Sequence, residues 1–191
     1  MTDTNLKPVL IVLIDGFADW ETPMISAIGR DFYGLSVRHA TPGGGEVRSM
    51  GGLRVCDLPD VAVQGDEVIV LSGSEGWTRP DAPDLTALLQ AAHGRGQTVA
   101  AICAGTLALG RAGLLDGRAH TSNSLDFLRH FLPDYAGADS YRDQPQAVSE
   151  GGVISAPGTA PATFAAQVLR AAGLGEEQVA GFLGMAGAEH R

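Results

Sequence analysis

Cysteine is nearly missing from this chain: 191 residues hold two, Cys56 and Cys103. Two thiols do not make a disulfide framework, and neither has a Cys or His partner at zinc-ligand spacing, so no metal is expected. Positive charge is also short. Lys and Arg total 13 against 22 Asp and Glu, a formal charge of −9 without any basic cluster, which argues against nucleic acid and anionic membranes as partners. No apolar run is long enough to cross a bilayer. The N-terminal MTDTNLKPVLIVLIDG breaks at Asp15 and lacks a signal-peptide cleavage pattern, so a reduced, cytoplasmic protein is the expectation. The glycine run PGGGEVRSMGG, residues 42–52, is followed by no GK[ST] and opens no helix. It reads as a turn device carrying a small hairpin through Leu53 to Cys56, and no cofactor is expected.

What remains is an alternation of apolar segments of two lengths. Val9 to Ile14, Val68 to Leu71 and Thr98 to Ile102 are short and rich in β-branched residues, as strands buried on both faces of a parallel sheet are. Helices are expected over Trp20–Phe32, Pro83–His93, Ala104–Ala112, Ser124–Phe131 and Pro161–Ala172, with another strand at Val153–Ser155 and a last helix in the tail from Glu176. The β-α-β order implies right-handed crossovers, hence a single α/β domain over residues 1–191. With no internal repeat and this length, one core is expected.

Against this background AAICAGTLAL, residues 100–109, stands out, because Cys103 falls on the turn between a strand and a helix. That is the carboxyl end of the sheet, where open α/β folds place ligands. Small neighbours, Ala101, Ala104 and Gly105, keep the backbone approachable, as in a nucleophile elbow. A helix N-terminus is expected to lower the thiol pKa, and the Ala104 amide would face an oxyanion formed on attack. The plain alternative is a buried, inert cysteine acting as a small hydrophobe.

AAICAGT, together with VLIVLIDGFADWE, EVIVLSGSEGW, GLLDGRAHTSN and ISAPGTAPATF, resembles the ThiJ/PfpI superfamily, whose fold is that of class I glutamine amidotransferases. The likeness runs along most of the chain. It implies a three-layer α/β sandwich with a mostly parallel, flavodoxin-like sheet. It also implies chemistry drawn from protease-like, glyoxalase/deglycase, isonitrile hydratase and stress-protein members, and a homodimer. Carried over residue by residue, Glu21 matches the acid that hydrogen-bonds the cysteine sulfur. Gly73 and Ser74 fall at a Gly-Gly turn lining the oxyanion hole, where Ser74 would be strained if φ must be positive. Trp77 has two readings, a pocket wall and a core or dimer-contact aromatic.

The departure lies in GRAHTSN. Where many members carry a histidine, this chain aligns Asn123, with His120 three residues earlier; on a strand these face opposite sides, so a Cys-His-acid triad is in doubt. Asn123 can hydrogen-bond the substrate or the thiol region but takes no proton. APGTAP, residues 156–161, lacks the His-x-Glu of glutaminases, which argues against glutamine hydrolysis, and Thr159 reads as a cap for the following helix. Asp19 likewise reads as a cap, and Cys56 as structural. Two functions follow. In one, Cys103 and Glu21 act as an enzyme on a small electrophile, of hydrolase, hydratase or glyoxalase/deglycase type. In the other, an oxidant converts Cys103 to sulfenic or sulfinic acid in a stress protein without turnover.

Overall fold

The computed structural model describes residues 6–188. Four buried tetrads, apolar but for Ser155, form its centre: β1 (Val9–Val12), β5 (Val68–Leu71), β6 (Val99–Ile102) and β8 (Val153–Ala156), each buried along its length. Strands buried on both faces need helices above and below them, and that is what a parallel sheet provides. With β2 (Val37–Ala40) and β7 (Val148–Glu150) at the edges, the order is β2-β1-β5-β6-β8-β7, and only β7 runs antiparallel. Ala100 of β6 pairs with Val70 on one side and Ile154 on the other. A separate hairpin, β3 (Gly45–Arg48) and β4 (Arg54–Leu58), carries the glycine-rich turn.

The period of two along each strand divides the core. Val9 and Ile11 join Val70, Ala100 and Ile154 beneath α1 (Gly29–Tyr33), α5 (Pro161–Ala171) and α6 (Glu176–Ala186). Leu10 and Val12 join Leu71, Val99 and Ala101 under α2 (Thr86–Gly94), α3 (Thr106–Arg111) and α4 (Leu125–Phe131). The result is a three-layer α/β sandwich with a mostly parallel sheet, as the sequence implied. No described helix is long and apolar enough to cross a membrane.

Several local expectations are corrected. The helix expected from Trp20 begins only after Pro23, with a π turn over Met24–Ile28 leading into α1, because Trp20 and Glu21 are committed to contacts elsewhere. Asp19 does not cap it; Oδ2 accepts the Gly51 amide at 2.5 Å and ties the hairpin loop to the sheet. Thr159 caps nothing. Ala160 precedes α5 without a side-chain cap, and Pro161 removes one of the amides a cap would serve. Cys56 is exposed on β4 beside Glu46, not structural. β7 was missed, although Gly151-Gly152, both at positive φ before Val153, is a two-residue hairpin signal.

Packing of α3 onto the sheet depends on Gly105. A Cβ there would lie 2.9 Å from the Ser72 carbonyl oxygen and 3.0 Å from that of Leu71, both backbone atoms that cannot step aside. Gly105→Ala is therefore expected to cost about 1–3 kcal/mol in denaturant unfolding. Gly94→Ala, at a helical position with nothing within 4 Å, should be neutral or stabilising by up to about 1 kcal/mol in the same measurement.

Candidate active site

β6 runs straight into a sharp bend at Cys103, whose φ is +58°. A non-glycine residue in the left-handed region costs of order 1–3 kcal/mol and persists only where neighbours hold it. Here they do. The Thr106 hydroxyl donates to the Cys103 carbonyl at 2.7 Å and accepts from Ser122 Oγ, also at 2.7 Å, so the turn is pinned from behind by a buried hydroxyl pair. The bend lifts the side chain to the carboxyl ends of β5, β6 and β8, where the sulfur touches both cores without entering either.

Two glycines make the room the thiol occupies. A Cβ on Gly73 would come within 2.6 Å of Cys103 Cβ, and one on Gly158 within 2.9 Å of Sγ. Asn123 closes the third side. Its Nδ2 donates to Sγ at 3.3 Å while its Oδ1 accepts the Gly158 amide at 3.0 Å, which fixes the orientation of the amide group. The Ala104 N–H also faces the sulfur.

Glu21 completes the group from the turn before α1. It is fully buried, and Oε2 accepts the Gly73 amide at 2.6 Å. Oε1 is left without a well-formed hydrogen bond, although it lies beside the thiol, which interacts with the carboxyl. Burial raises the Glu21 pKa from 4.5 to about 7, against the lowering effects of the Gly73 amide and the thiol. Burial, then the charge of Glu21, pushes the Cys103 thiol up, outweighing Asn123 and the Ala104 amide. This corrects the lowered thiol pKa expected from the helix N-terminus: the turn after Cys103 is three residues of 3-10 helix, and desolvation dominates.

Other expected residues are distributed unevenly. Gly73 gives its amide to Glu21 and lines the cleft. Ser74 also lines it, at φ −164°, an extended conformation without strain; its hydroxyl donates to the Asp15 carbonyl and accepts the Gly76 amide. Trp77 is not a wall. It is wholly buried under the cleft with its indole N–H on the Ser72 carbonyl, a core anchor. His120 is not in the site either: it is sealed in the interior, where Nδ1 donates to the Arg118 carbonyl and Nε2 takes the Tyr135 hydroxyl. Burial lowers its pKa and keeps it neutral.

The cleft above the sulfur has a volume of about 430 Å³, and sequence reasoning missed much of its wall. Trp20, Met50, Phe127 and Phe131 line it with Ala18 and Ala104. Phe127 and Phe131 sit one helical turn apart on α4 with ring centroids 5.2 Å apart, a spacing readable in principle as a shared face. Trp20 and Met50 are half-exposed and arrive from separate loops, which leaves no signal in one sequence. Among the described residues no cluster of three or more His, Cys, Asp or Glu side chains is placed to hold a metal.

Comparison with known proteins bears on the family and the fold. An uncharacterized protease, YoaZ of Bacillus subtilis, is 31% identical over 174 residues, covering 86% of this chain and 82% of that protein. The crystal structure of a DJ-1 superfamily protein from Agrobacterium tumefaciens superposes with a TM-score of 0.88 at 41% identity, covering 97% of this chain and 100% of the other. A thiJ/pfpI family protein from Bacillus anthracis gives 0.84 at 27% identity, covering 96% and 91%. The sequence pattern of the DJ-1/PfpI family matches residues 7–171, and the chain belongs to that family.

Proposed function

We propose that the chain is a cysteine-dependent enzyme acting on a small electrophilic carbon compound, by hydrolase, hydratase or glyoxalase-type chemistry. The observation that carries this reading is the strained Cys103 turn, which aims a thiol at an open cleft beside a buried carboxyl whose proton affinity burial has raised to near neutrality. Because Oε2 is occupied by the Gly73 amide, Oε1 is the oxygen that exchanges a proton with the sulfur. Ionised Glu21 takes the thiol proton as sulfur bonds to the substrate carbon, and the electron pair displaced from the carbonyl double bond settles on oxygen. The amides of Ala104 and Ser74 border that oxygen, and Oε1–H then returns the proton to it. One carboxyl thus shuttles one proton, which suits addition to an aldehyde, α-oxoaldehyde or isonitrile better than expulsion of a peptide amine.

A second reading, an oxidant-sensing protein without turnover, draws on the unpartnered Oε1. Hydrogen peroxide would transfer one oxygen to the sulfur, leaving water, and protonated Glu21 would donate to the oxygen gained. Loss of turnover in both Cys103→Ala and Glu21→Gln across an aldehyde and α-oxoaldehyde panel supports the enzyme. Stoichiometric oxygen addition at Cys103, with no Cys103-dependent turnover anywhere in the panel, supports the sensor.

The same carboxyl sets two pH dependences. As the base, Glu21 must be ionised, so alkylation of Cys103 by iodoacetamide should rise through an inflection near pH 7. Glu21→Gln should remove that inflection and slow the neutral-pH rate about 100-fold; a single inflection at an ordinary thiol pKa, unchanged in the variant, would contradict the assignment. Stability moves the other way. Below 4.5 the carboxyl is protonated folded and unfolded alike; between 4.5 and about 7 the folded chain keeps a proton the unfolded chain has released. Stability from this group is therefore full in acid and lost as pH rises through that window. Glu21→Gln should be more stable than the parent by roughly 3 kcal/mol at pH 8, with little difference near pH 4, in denaturant unfolding at both pH values.

A further inference from the structure

The walls of the cleft narrow the substrate beyond a small electrophile. Trp20, Met50, Phe127 and Phe131 present apolar surface, and among the described residues the only carboxyls that line it are Glu21 at the base and Glu75. No Lys, Arg or His is among the described residues that line it. An anionic substrate would have to shed water beside two acids with no cation to pair, in a chain of net charge −9. A cation would gain Glu75 but lose its water against the apolar wall.

Trp20 adds a second, independent observation. The residue is 52% exposed, yet its indole N–H is committed to the Gly158 carbonyl at 3.1 Å. The Gly158 amide donates to Asn123 Oδ1 at 3.0 Å, and Asn123 Nδ2 donates to the sulfur at 3.3 Å. Three hydrogen bonds thus hold an open aromatic face in fixed register with the reacting atom. An exposed indole held still at a cleft wall is a stacking platform that loses little entropy when a flat group settles on it.

We infer that this site selects an uncharged electrophile bearing an aryl or similar flat apolar group, seated against Trp20, and rejects anionic substrates. The inference rests on the reading of Cys103 as nucleophile. A volume of about 430 Å³ accommodates such a molecule and lies within the usual range for small-ligand sites.

The test labels the full chain with iodoacetanilide, iodoacetamide and iodoacetate. Each rate is divided by that of free mercaptoethanol, and peptide mass spectrometry separates Cys103 from exposed Cys56. Cys103 should favour iodoacetanilide over iodoacetamide about tenfold and disfavour iodoacetate by a similar factor. Trp20→Ala should bring the aryl-to-amide ratio near one, whatever the absolute rates, and Trp20→Phe should restore most of it. Equal normalised rates for the three reagents, or an aryl preference surviving Trp20→Ala, would overturn the inference. A second arm reads the cleft without thiol chemistry: Cys103→Ala protein is titrated with acetanilide and 4-acetamidobenzoate by NMR. Acetanilide binding at least about tenfold tighter supports the inference, and equal affinity overturns it. A Cys103 inert to all three reagents beside selective acetanilide binding would contradict the nucleophile and leave the selectivity standing.

Discussion

Glu21 Oε2 accepts the Gly73 amide deep inside the protein, and that contact decides which carboxyl oxygen is left to face the thiol. Much of the site's construction follows from fitting a desolvated acid and a sulfur into one small volume. Gly73 must lack a side chain, since a Cβ there would lie 2.5 Å from Oε2, and Gly158 must lack one because Sγ occupies the space. The strained turn at Cys103 is held at the same place, where the Thr106–Ser122 hydroxyl pair clamps it from the other side. Burial then raises both proton affinities, and the acid arrives near neutrality, where a proton shuttle is most useful.

The position where many relatives are expected to carry histidine holds Asn123, and its geometry explains what an amide does there. It donates to sulfur with one end and organises the Gly158 amide with the other, steadying the thiol without competing for its proton. His120 has been drawn off into the interior by Tyr135 and the Arg118 carbonyl, so in the mechanism proposed above proton traffic at the sulfur falls to Glu21. Chemistry that asks for one proton to be taken and returned fits this arrangement.

How much was legible in the sequence follows the range of the interactions involved. Continuous apolar tetrads announced three of the four central strands, because burial on both faces leaves no polar alternation, and the thiol at the end of one of them announced the elbow; β8 interrupts its apolar run with Ser155. Long-range contacts were not legible. Trp20 and Asp19 looked like residues of a first helix turn, yet their partners are Gly158 and Gly51, far along the chain. Trp77 was ambiguous because a core anchor and a pocket wall have the same composition; the Ser72 carbonyl settles it as core. The thiol pKa was misjudged in sign, since helix-terminus reasoning is local whereas desolvation depends on everything packed around the sulfur.

The pairing of a buried carboxyl with the sulfur is tested most directly by infrared difference spectroscopy of the Glu21 carboxyl, using Glu21→Gln as the subtraction, from about pH 5 to about pH 9. The predicted result is a protonated-acid band that disappears with a midpoint near 7 and shifts in frequency when Cys103 is replaced by Ser. A carboxyl that is already ionised at pH 5, or whose band is indifferent to residue 103, would contradict it.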